Sequence, residues 1–143
     1  MTGFLYALVA GAAMSVQGVM NTRLGDKAGV LEANAYVQLT GFILALAVAL
    51  LFGKGDIRQM SQAPWYAWLG GVLAPVITVT VMPSIGGLSP TVAISTILIA
   101  QLAVAALIDA FGWMGAEQIA FGWKKFLGLG LMIAGVIFMK VKN

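Results

Sequence analysis

Long uncharged runs separated by short polar breaks set the pattern of this chain. Residues 1–22 contain no charged side chain, and a break with Arg23, Asp26, Lys27 and two glycines leads to a second uncharged run over residues 33–53. Lys54, Asp56 and Arg58 close that run, and the next 50 residues, 59–108, are again uncharged. Since about 20 apolar residues cross a bilayer core, that stretch holds two helices and a turn. The turn is expected at residues 83–90, where two prolines, two glycines and two serines cluster. The final run, 126–139, has only 14 residues between Lys125 and Lys140. It crosses if Lys124 and Lys125 snorkel and the helix extends over 121–141. The pattern predicts an all-α integral membrane protein, a single transmembrane domain over residues 1–143, with helices at 2–22, 33–53, 64–82, 90–111 and 121–141. Residues 23–31 form a polar loop in this reading, and Pro75 kinks the third helix.

Small and polar positions then give the helices faces. Gly3, Ala7, Gly11, Ser15 and Gly18 recur every three or four residues, a surface on which two membrane helices can approach closely. A second face of the same helix carries Gln17 and Asn21, and the next helix aligns Asn34, Gln38, Gly41 and Ala45. Amides at membrane depth are costly unless paired, so these four either bond to one another between helices or line a wet cavity that holds substrate. Gln17 and Gln38 are the deepest of the four. Gln101 lies 11 residues after Pro90, about 16 Å into the membrane. It serves as a substrate ligand or as a bridge between two helices. Asp109 ends the same helix and is expected to pair with a Lys or Arg near the membrane edge, while Glu32 belongs to a solvated loop.

Composition narrows the classes of function. The chain is 61% hydrophobic and 9% charged, far from the quarter charged that is usual for soluble domains. It has no histidine, no cysteine and no clustered carboxylates, so an enzyme is the weakest reading and no cofactor or metal is expected. The net charge of +3 is scattered at segment ends. That suits contact with a lipid bilayer and not a nucleic-acid footprint. A cleaved signal peptide is not expected, because no Lys or Arg precedes the first apolar run and another such run follows it.

Basic residues leave the orientation open. With five helices, the side of the N-terminus holds Lys54, Arg58, Lys124 and Lys125, and the other side holds Arg23, Lys27, Lys140 and Lys142. Four against four gives no positive-inside bias. Either a signal outside this count fixes the orientation, or the chain inserts both ways and two copies pair as an inverted dimer. In such a dimer the partner's Asp109 reaches the level of Arg23, so the two are candidates for charge pairing or gating.

The final helix, Gly128-Leu129-Gly130-Leu131-Met132-Ile133-Ala134-Gly135-Val136, preceded by the Ile108-Asp109 step, resembles the last helix of the repeat in the drug/metabolite transporter superfamily. The segments GAAMSVQGVMNTRLG (11–25) and PWYAWLGGVL (64–73), with Ala100-Gln101-Leu102 leading to Phe111-Gly112, are similar to its half-size, five-helix YdcZ-like branch. The resemblance implies a bacterial inner-membrane, multi-pass transporter. It would work by alternating access as an inverted homodimer, or with a homologous five-helix partner, and so resemble a ten-helix transporter. It also favours Gly128 and Gly135, seven apart and so nearly on one face, as a dimer seam. Small multidrug-resistance proteins, another branch, carry a glutamate in the first helix, where this chain has only Ser15, Gln17 and Asn21. Proton-coupled cation export is therefore not carried over. The expected substrate is a small polar metabolite or an organic cation. The alternative is a non-transporting membrane scaffold or accessory subunit.

Overall fold

A computed structural model describes residues 1–120 and 122–140 of the chain. Its α-helices are α1 (Thr2–Ala28), α2 (Val30–Phe52), α3 (Gly70–Gly87), α4 (Pro90–Phe111) and α5 (Trp123–Lys140). Short 3-10 segments cover Ile57–Gln62, Trp65–Leu69 and Trp113–Gly115, and no strand occurs among the described residues. Among the described residues four segments are long and apolar enough to cross a membrane: Thr2–Ala28, Val30–Phe52, Trp65–Gly87 and Pro90–Phe111. In α5, 18 residues include Lys124, Lys125 and Lys140. The ends expected for this helix, 121 and 141, lie outside the described residues.

The expected polar loop at 23–31 is mostly helix. Arg23, Asp26 and Lys27 belong to α1, which runs on to Ala28. At 27 residues α1 is about 40 Å long, so its charged last turns extend beyond a hydrocarbon core of about 30 Å. Charge marks where the lipid ends, not where the helix ends. Arg23 also pairs with Asp26 on the next turn at 3.8 Å. The reversal into α2 is made by one residue. Gly29, with φ 97° and ψ 148°, donates its N–H to the Gly25 carbonyl, and Val30 already begins α2. That backbone conformation is open to glycine and strained for other residues.

The expected break at 83–90 is narrower than its composition suggested. Helix α3 continues through Pro75 and Pro83 to Gly87. Hydroxyls bond back onto the backbone near both prolines: Thr78 donates to the Ala74 carbonyl, Thr80 to Val76, and Ser84 to Thr80, at 2.7–3.1 Å. Only Leu88 and Ser89 separate α3 from α4. Ser89 caps α4 by accepting from the Val92 N–H, and Pro90 occupies the first turn, where its missing donor costs nothing. The third helix also starts later than expected, because Pro64 opens the 3-10 turn Trp65–Leu69 before α3 begins at Gly70.

The chain divides after Gly87 into two packing units. In the first, α1, α2 and α3 pack together. Gly18, Thr22 and Gly25 of α1, Ala33 of α2, and Met82 and Ile85 of α3 are buried. All lie toward the end that holds Gly29, so the three helices are tightest there. The other ends of these helices are exposed, and a Cβ added at Gly3, Gly11, Gly41 or Gly70 would meet nothing within 4 Å. The second unit is the pair α4 and α5, joined by residues 112–122.

Candidate functional site

Two constellations of polar side chains stand out, one in each unit. In the first unit, Gln38 lies two turns into α2 and is half-buried. Its Nε2 donates to Asn34 Oδ1, one turn earlier, and to Thr78 Oγ1 on α3, both at 3.3 Å. Thr78 passes its own proton back to the Ala74 carbonyl. The cluster is therefore polar, uncharged and partly exposed, and its atoms retain further capacity to donate and accept. Thr78 escaped the sequence reading because α3 showed no amide or charge. A hydroxyl in an apolar helix is commonly satisfied by its own backbone.

The α1 amides take a different position. Gln17 is exposed and Asn21 half-buried. They border a shallow groove with Val9, Ala13, Val16 and Met20, one turned face of α1. Among the described residues no hydrogen bond joins Gln17 or Asn21 to Asn34 or Gln38. The pair of α2 amides is thus tied to α3, and the α1 pair stands apart from it.

Close packing of α1 on α3 uses only Gly18 of the small-residue stripe and continues beyond it to Thr22 and Gly25. A Cβ at Gly18 would come within 2.8 Å of Ile85 Cδ1, and one at Gly25 within 3.2 Å of Met82 Sδ. Between them Thr22, 7% exposed, donates to the Gly18 carbonyl at 2.8 Å and lies 3.4 Å from the Met82 carbonyl. The contact face is Gly18–Thr22–Gly25. Gly3 and Gly11, which the sequence pattern grouped with Gly18, touch nothing.

In the second unit, α4 and α5 flank a cleft of about 340 Å³ lined by Leu102, Ala105, Ala106, Asp109, Lys125, Gly128, Leu129 and Met132. Asp109 closes one end, its Oδ2 3.7 Å from Lys125 Nζ, with the two side chains 41% and 43% exposed. The connecting loop folds over the end of α4. The Ile119 N–H donates to the Asp109 carbonyl and Gln118 Nε2 to the Ala110 carbonyl, each at 2.9 Å. Gly112 ends α4 in the left-handed region with φ 64°, and Phe111 stacks on Trp113 with centroids 5.3 Å apart. Gly128 borders the cleft, one turn before Met132 and facing α4. Gly135, seven residues on, shares nearly the same face. Gln101 is exposed on α4, and Arg23 pairs with Asp26 in its own helix.

Helices of this length and apolarity, with uncharged amides and hydroxyls inside them and charges at their ends, define an all-α membrane protein. A family model described as "Putative inner membrane exporter, YdcZ" matches residues 2–138, and the chain belongs to that family, a branch of the drug/metabolite transporters. No curated protein and no solved structure matches the chain significantly.

Proposed function

We propose that this chain is one half of a small-molecule exporter. It crosses the inner membrane five times as a single transmembrane domain and works by alternating access as a dual-topology dimer, with itself or with a homologous five-helix partner. The observation that carries this reading is the Asn34–Gln38–Thr78 cluster between α2 and α3, uncharged and still open to further hydrogen bonds, in a chain from an exporter family. Gln17, Asn21 and Gln101 add amides on α1 and α4. Neutral donors and acceptors suit a small polar metabolite better than an organic cation, because no carboxylate lies within residues 1–22, 33–53 or 59–108 to balance a positive charge.

Flux of a panel of polar metabolites and amines through purified protein in liposomes tests the proposal. Uptake of at least one neutral polar solute is expected, with loss of at least about tenfold in Gln38→Leu at little cost in stability, since an interhelical hydrogen bond in a membrane is worth about 0.6 kcal/mol on average. The same absence of a deep charge leaves a second reading, an accessory subunit that carries nothing. Silence across the whole panel, together with one fixed orientation by cysteine labelling, would replace the exporter by that subunit.

A further inference from the structure

We infer that the cleft between α4 and α5 is a binding site for one phospholipid with a phosphoethanolamine headgroup. The cleft is apolar along most of its length and charged at one end only. Leu102, Ala105, Ala106, Gly128, Leu129 and Met132 form its sides, and the small side chains at 105, 106 and 128 leave room between the helices. From Asp109 back to Leu102 it runs seven residues along α4, about 10 Å toward the membrane interior. An acyl chain fits such a trough.

The charged end fixes the headgroup. Asp109 and Lys125 face each other at 3.7 Å, longer than the 2.7–2.9 Å of a direct charge-assisted hydrogen bond, and each side chain is less than half exposed. A zwitterion matches both charges at once, with its phosphate on the Lys125 ammonium and its own ammonium on the Asp109 carboxylate. Ethanolamine carries N–H donors for that carboxylate. Choline has none, and a glycerol headgroup brings a phosphate without the opposing cation. The level is also right. Trp113 follows α4 directly and Trp123 opens α5, and tryptophan collects where headgroups meet acyl chains. Leu102, Ala105, Lys125 and Gly128 are exposed, so lipid can enter from the side.

Native mass spectrometry of the purified protein, offered equal amounts of phosphatidylethanolamine, phosphatidylcholine and phosphatidylglycerol with identical acyl chains, is the test. Phosphatidylethanolamine should be retained about tenfold over phosphatidylcholine, the worth of one hydrogen bond to a charged group. Asp109→Asn and Lys125→Gln should each erase that preference, and both should fold, because a half-exposed ion pair contributes little to stability. Gly128→Leu should fill the trough and lower retention of all three lipids. Equal retention of the three lipids by the unaltered protein overturns the proposal, and that measurement decides even where a variant fails to fold. A preference that survives both charge variants also overturns it. So does efficient cross-linking of Gly128→Cys chains to each other, which would make a second copy the occupant.

Discussion

Gly18 and Gly11 are both glycines on the same helix, and neighbours alone separate them. A leucine at 18 must displace Ile85 and press on Val81 Cγ1, which would lie 3.5 Å from the new Cβ. Ile85 can rotate away from a methyl, so alanine there is tolerated, but a full isobutyl group forces α1 and α3 apart. Gly18→Leu should lower stability by about 1–3 kcal/mol in a thermal melt of the detergent-solubilised protein. Gly11→Leu, with nothing within 4 Å, should leave the same melt unchanged. Equal losses at both positions would remove the α1–α3 seam. The sequence supplied the repeat of small residues but not its partner, because close approach depends on a second helix that the repeat does not specify. Asp109 shows the converse. Its chemistry required a cation, and the sequence offered several. Only the reversal between α4 and α5 selects Lys125.

Among the elements, the helices themselves were largely legible, because uncharged runs of bilayer length leave few alternatives. Their junctions were not. The polar residues after Asn21 looked like loop yet lie in α1, and the Pro/Gly-rich stretch after Met82 looked like turn yet lies in α3. In the first case Thr22 and Gly25 pack against Met82, and in the second Met82 and Ile85 are buried on either side of Pro83, so packing overrides local propensity in both. The real reversal is Gly29, a residue the composition did not mark out from its neighbours. A side chain there is strained by φ 97° and runs into the Glu32 carboxylate. Gly29→Ala should therefore cost about 1–3 kcal/mol. Adding Glu32→Ala should recover only the part due to the clash. Full recovery in the double variant, by the same melt, would mean that the backbone carries no strain.

At the scale of the molecule, five crossings would set four basic residues against four and make orientation a controllable variable. Gln59→Lys with Gln62→Lys adds two charges to the side of the N-terminus and should drive one orientation, read by cysteine labelling. If the exporter is an inverted pair, flux should fall with the loss of the opposite copy. It should return on co-expression with a chain biased the other way by Leu31→Lys and Leu88→Lys. Flux that persists in a population of single orientation would mean that the working unit is not inverted. The joint at Gly29 also bears on how that choice is made during synthesis. With one residue between them, α1 and α2 have no slack to enter the lipid separately, so they insert together as a hairpin whose tip carries Arg23, Asp26, Lys27 and Glu32, two charges of each sign. Arg23 and Lys27 in that tip therefore enter the choice of side together, before Lys54 and Arg58 are counted against them.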